Sequence, residues 1–106
     1  MEFEIFSEIR EKFCIQYADV TEGKMMSSEA IHYKKKVFAF FSKKNKMVFK
    51  LGKDYPIETV KIPLAEFNPF RTKKPLAGWY ESHFDHHDQW ETLTKVALEL
   101  LQKQYV

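Results

Sequence analysis

Apolar residues recur at helical spacing near both ends of the chain and at strand spacing in its middle, and this order predicts the architecture. Near the start, Ile5, Phe6, Ile9, Phe13, Gln16 and Tyr17 fall three or four positions apart, with Glu4, Glu8, Glu11 and Lys12 turned outward between them. Residues 2–17 therefore read as an amphipathic helix. Glu2 and Glu4 place negative charge in its first turn, where the helix dipole favours it, and Gly23 offers a stop beyond a frayed end. Towards the other end Trp90, Leu93, Ala97, Leu100 and Leu101 form a second stripe, with Val96 at its margin. Asp88 followed by Glu91 has the form of a capping box, and Asp85 would start the same helix one turn earlier.

The centre reads as sheet. If Ser42–Lys46 joins two antiparallel strands, symmetry about that loop pairs Phe41 with Met47, Ala39 with Phe49 and Val37 with Leu51, and puts all six on one apolar face. The opposite face carries Phe38, Phe40, Val48 and Lys50, so Phe38, Phe40 and Val48 form a candidate interaction face for a protein partner or a second copy. Residues 29–33 extend the sheet before the lysine triplet at 34–36. In 54–77 the prolines at 56, 63, 69 and 75 interrupt a β-branched run, which predicts loop with one short element. Residues 78–84 supply another strand, with Trp79, Glu81 and His83 on one side and Tyr80, Ser82 and Phe84 on the other. The expected fold class is α+β: one domain in which an antiparallel sheet packs in two layers against N- and C-terminal helices.

Composition supports a packed globule, since 44% of the 106 residues are hydrophobic and ten are Phe. Charge changes the picture more. The overall +2 conceals a formal +8 over residues 34–53, which hold Lys34, Lys35, Lys36, Lys43, Lys44, Lys46, Lys50 and Lys53 and no acid. An electropositive sheet end attracts a polyanion, so DNA or RNA is a candidate partner. The candidate phosphate contacts are Lys34, Lys35, Lys36, Lys43, Lys44 and Lys46, with Arg71, Lys73 and Lys74 auxiliary. In a simple hairpin the two lysine groups lie at opposite strand ends, roughly 17 Å apart. The competing reading is that turn and edge lysines keep the sheet soluble. Arg10 and Arg71 are the chain's two arginines, so the bidentate fork that reads guanine is scarce, and nucleic-acid binding is expected to be weak, salt-sensitive and tolerant of sequence. Among the aromatics interleaved with these lysines, Tyr33, Phe38, Phe40, Phe41 and Phe49, stacking on bases competes with core packing.

Other chemistries find little footing. Cys14 has no partner for an internal disulfide and reads as a small half-buried hydrophobe, which makes a reducing, cytoplasmic location the expectation. The first residues show no basic start followed by an apolar run, and Val37 to Phe41, the longest such run, is far below the ~20 residues that span a bilayer. No membrane is expected as a partner. His83, His86 and His87, framed by Asp85 and Asp88, are metal-ligand types, but a strand-to-helix junction points them apart and no recognised zinc spacing is present; His32 stands alone. No serine lies in a glycine-framed nucleophile turn, and three glycines build no phosphate loop. The chain is expected to be a non-enzymatic binding domain without metal or cofactor.

The phrases KKKVFAFF (34–41), MVFKLGKD (47–54), NPF (68–70), KPLAGWYE (74–81) and WETLTKVALELL (90–101) resemble the MmcQ/YjbR and TfoX N-terminal-domain families across most of residues 24–101. The resemblance implies a compact α+β fold with an antiparallel sheet against terminal helices, and for some relatives a DNA-binding label. Lys50 and Trp79 match that pattern. Lys35 stands where those families often have glycine before the hairpin, and Ser27-Ser28 where they tend to carry a glycine-containing turn.

Overall fold

A computed structural model of the chain describes residues 1–68 and 74–105. Helix α1 (Glu2–Gln16) leads into strands β1 (Val20–Met25), β2 (Ser28–Tyr33), β3 (Lys36–Phe41) and β4 (Met47–Lys50). A short 3-10 turn (Ile57–Thr59), a two-residue strand β5 (Ala65–Glu66) and strand β6 (Trp79–Ser82) follow. A 3-10 segment (Phe84–Gln89) then feeds helix α2 (Trp90–Gln102), and Lys103–Tyr105 form a last 3-10 turn. The strands make one antiparallel sheet in the order β1-β2-β3-β4-β6-β5, and both helices pack on one of its faces, so the fold is α+β. No helix among the described residues is long and apolar enough to cross a membrane.

The β3–β4 register is the one the loop symmetry predicts: Ala39 faces Phe49, Phe40 faces Val48 and Phe41 faces Met47. Asn45 closes the loop with φ 61, a left-handed conformation that asparagine tolerates. Val37 does not pair with Leu51. The amides of Leu51 and Gly52 both donate to the Gly78 carbonyl, at 2.9 and 3.0 Å, so the chain beyond β4 follows β6, while Val37 lies opposite His32 of β2.

A β-bulge explains a second departure. The β2–β3 register runs Ile31 to Ala39 and then His32 to Val37, leaving Phe38 as the extra residue. The alternation resets there, so Phe38 joins Ala39, Phe41, Met47, Phe49 and Leu51 in the helix-side core and Val37 turns to the other face. The interaction face expected from Phe38, Phe40 and Val48 is therefore corrected. Phe38 lies under the helices, and Phe40 and Val48 are 1% and 0% exposed in a smaller cluster with Ala30. Phe67 and Trp79 cover that cluster, their rings 5.1 and 5.6 Å from that of Phe40.

Helix α1 buries Phe6, Ile9 and Phe13, as its spacing predicts, while Gln16 is exposed. It also buries Arg10, whose guanidinium lies 5.2 Å from the Phe6 ring centre and donates to the Glu29 carboxylate at 3.1 Å and the Ala30 carbonyl at 3.4 Å. Glu22 sits 3.8 Å from the same guanidinium, and Lys24 pairs with Glu29. A buried cation held by two carboxylates and a ring is fully partnered, and it ties α1 to the β1–β2 hairpin. Gly23 does not stop the helix; it lies inside β1, where a Cβ would meet the His32 imidazole at 2.2 Å.

Helix α2 buries Trp90, Leu93, Thr94, Ala97, Leu98 and Leu101, leaving Leu100 half-buried. Trp90 donates its indole N–H to the Ser82 hydroxyl at 3.0 Å, so the largest buried side chain is also satisfied. Asp88 is not the N-cap. The 3-10 segment starts a turn earlier, with the His83 Nδ1 accepting the Asp85 amide at 3.1 Å, and α2 continues from it without a side-chain cap.

Candidate nucleic-acid interface

The turn between β2 and β3 is two residues long, and both have positive φ, 50 for Lys34 and 71 for Lys35. This is the backbone of a type I′ hairpin, which suits the sheet twist but favours glycine or asparagine. The Lys34 amide donates to the Asp19 carbonyl at 3.0 Å, pinning the turn against the link from α1. Helix α2 runs back along the sheet and delivers Tyr105 to the same place. The Tyr33 and Tyr105 rings meet edge to face, 5.7 Å apart at 73°. The Lys34 ammonium lies 4.8 Å from the Tyr105 ring centre and 5.7 Å from that of Tyr33, and the Lys36 ammonium lies 5.5 Å from Tyr105.

The result is an exposed run of three lysines, of which Lys34 and Lys36 flank Tyr105, a tyrosine 41% exposed, and Lys35 stands between them in the turn. Among the described residues none of these lysines has a carboxylate within ion-pair distance. Three cations on one knuckle raise the local potential for an anion, and an exposed ring beside two of them offers a stacking surface.

The second lysine group is placed elsewhere. Lys43, Lys44 and Lys46 belong to the β3–β4 loop, at the far end of β3 from the triplet, roughly 17 Å away. Lys43 and Lys44 are exposed, but Lys46 is half-buried and lies 3.7 Å from the Glu81 carboxylate. The Ser42 hydroxyl accepts the amides of Lys44 and Lys46 at 3.3 Å each, which fixes the loop. The two groups also differ in face, since Tyr33 packs with the helix-side core, whereas Lys43 and Lys44 line a groove on the opposite face beside Phe40. The structure does not merge them. Lys50 reaches over Trp79, 5.9 Å from its ring centre, and Lys74 is exposed; Arg71 and Lys73 lie outside the described residues.

Tyr105 has no counterpart among the residues that sequence patterning singles out. It follows the last apolar position of α2, and only the antiparallel path of that helix brings it to Lys34. Of the aromatics considered for stacking, Phe38, Phe40, Phe41 and Phe49 are buried, and Tyr33 is half-buried beside Tyr105.

The remaining polar residues have local roles. His83 caps the 3-10 segment and lies 3.4 Å from the Asp85 carboxylate, while His87 stacks on Phe84 at 4.5 Å and donates from Nδ1 to the Phe84 carbonyl at 2.9 Å. Among the described residues no three His, Cys, Asp or Glu side chains converge as a metal-ligand set. Burial pushes the Cys14 thiol above its ordinary value of 9.0, with Glu22 adding to the shift, which leaves little thiolate at neutral pH.

Compared with known proteins, the chain matches no protein-family model, no curated protein and no solved structure.

Proposed function

We propose that this chain is a non-enzymatic binding domain that takes single-stranded nucleic acid, DNA or RNA, at the knuckle formed by Lys34, Lys35, Lys36, Tyr33 and Tyr105. The carrying observation is the approach of Lys34 and Lys36 to the exposed Tyr105 ring beside the exposed Lys35, which pairs phosphate neutralisation with a ring for base stacking. A single strand suits it better than a duplex, because stacking on Tyr105 needs an unpaired base. Binding is weak and tolerant of sequence. Arg10 is engaged by Glu29 and Glu22, so it presents no guanidinium fork to a base edge.

This reading narrows the site from the two lysine groups to the β2–β3 turn, because Glu81 offsets Lys46 at the β3–β4 loop. We further propose kinship with the MmcQ/YjbR and TfoX N-terminal-domain families and a cytoplasmic location. The observed order of helix, antiparallel sheet and closing helix supports the kinship, although a shared fold carries no function by itself. The deciding experiment is fluorescence anisotropy with a labelled single strand and the matching duplex, at about 50 and about 200 mM salt. Saturable binding that favours the single strand and weakens with salt is expected. No binding at the lower salt would remove nucleic acid from the account.

A further inference from the structure

The groove on the sheet face opposite the helices offers a second, chemically different site, separate from the knuckle by position and by face. It encloses about 670 Å³ and is lined by Phe40 and Phe67 together with Ser28, Ser42, Lys43, Lys44, Glu66 and Glu81, among others. That volume falls within the roughly 300–1,000 Å³ of small-molecule sites. Its floor is aromatic. Phe67 stands edge-on to Phe40, 5.1 Å away at 82°, and is itself only partly buried, so part of its ring is open to a guest. Phe67 is held firmly: its amide donates to the Trp79 carbonyl at 2.8 Å and its carbonyl accepts the Leu76 amide at 2.9 Å.

Lys43 and Lys44 come from the β3–β4 loop, in the middle of the sheet, and neither has an ion partner among the described residues. Glu81, on the groove face of β6, is occupied by Lys46 at 3.7 Å, whereas Glu66 of the edge strand pairs with Tyr80 and so belongs to the helix-side face. The groove therefore sets two cations beside an aromatic floor. A complementary guest carries an anionic group joined to a flat ring.

The geometry points to a nucleoside monophosphate, with its phosphate on Lys43 and Lys44 and its base against Phe67. This inference does not rest on strand binding at the knuckle, and either can fail alone. The test titrates the full chain with adenosine 5′-monophosphate, adenosine and inorganic phosphate in turn, followed by backbone amide shifts in NMR. Shifts confined to residues 42–46 and 65–68 are expected, with the monophosphate binding at least tenfold more tightly than either fragment. The double variant Lys43→Gln/Lys44→Gln, which touches only exposed side chains, should bring the monophosphate down to the level of adenosine. Phe67→Leu, which keeps the cover over Phe40 while removing the ring, should weaken both adenosine compounds and leave phosphate unchanged. The variant Lys34→Gln/Lys35→Gln/Lys36→Gln should leave the shifts at residues 42–46 and 65–68 unchanged for all three ligands. No saturable shift by about 10 mM, where binding would be worth under about 3 kcal/mol, overturns the site. Phosphate alone binding as tightly as the monophosphate, or shifts confined to residues 33–36, overturns it equally.

Discussion

Replacing Lys34, Lys35 and Lys36 together by glutamine tests the proposed knuckle most directly, because the change removes charge while keeping a polar side chain unbranched at Cβ. Each lysine can neutralise one phosphate, and single-strand binding falls with salt at a logarithmic slope of about −0.7 per phosphate. Three contacts give a slope of about −2, so a fourfold rise in salt from about 50 to about 200 mM weakens binding roughly 20-fold. The triple variant should lose that dependence along with most of its affinity at low salt. Its melting temperature should stay near the parent value, because the three side chains are exposed and glutamine tolerates positive φ no worse than lysine does. Equilibrium anisotropy with a labelled oligonucleotide, beside a thermal melt of each protein, measures both quantities. If the triple variant keeps the parental slope, the knuckle is not the site. A slope abolished instead by Lys43→Gln/Lys44→Gln would move the contact to the β3–β4 loop.

Tyr105→Ala should weaken single-strand binding by tenfold or so, since stacking on one ring contributes about 1–3 kcal/mol, and Tyr105→Phe should retain most of it; equal loss in both variants would contradict stacking. Gly78→Ala should destabilise the fold by about 2 kcal/mol or more, because Gly78 has φ +88 and a Cβ there would sit 3.0 Å from the Gly52 backbone. A melting temperature within about 2 °C of the parent would refute that estimate. The hydrogen bond from Lys24, and then that from Arg10, hold the Glu29 carboxyl below its ordinary value of 4.5. The stability it contributes is therefore fully present above pH 4.5 and is lost as pH falls through the lower folded value. Glu29→Gln should lower stability at neutral pH and flatten that acid limb in denaturant melts taken at a series of pH values; an unchanged limb would show that Glu29 carries none of it.

Much of the fold is legible in the sequence because each segment's period agrees with its final packing. Phe6, Ile9 and Phe13 of α1 and Trp90, Leu93, Ala97 and Leu101 of α2 are buried as their spacing predicts, while Arg10, Thr94 and Leu98 are buried beyond it, and symmetry about Ser42–Lys46 finds the β3–β4 register because that loop adds no irregularity to the ladder. The bulge is invisible to such reasoning: Val37, Phe38 and Phe40 are all apolar, so hydrophobicity cannot say which of them changes face. Strand β1 is missed for a different reason. Its helix-side positions Glu22 and Lys24 are charged, and they suit that face only because Arg10 and Glu29 meet them there. Asp88 has the sequence of a cap but not the place of one, since His83 begins the turn earlier. The lysine excess is plain in the sequence, yet its division into a knuckle beside Tyr105 and a loop partly neutralised by Glu81 depends on two residues that approach from distant parts of the chain.

The conformation of the β2–β3 turn sets two demands on the same pair of residues. Positive φ at Lys34 and Lys35 is unfavourable for any side chain with a Cβ, by an amount on the order of 1 kcal/mol at each position, and an Asn-Gly pair would relieve it. Met26 and Ser27 adopt the same conformation, so strain alone does not mark a site. At Lys34 and Lys35, however, relief would also remove two of the three cations of the knuckle. The turn is thus a place where selection for thermal endurance and selection for ligand capture oppose each other, and variants enriched for heat resistance at positions 34 and 35 should be the ones that release their ligand most readily.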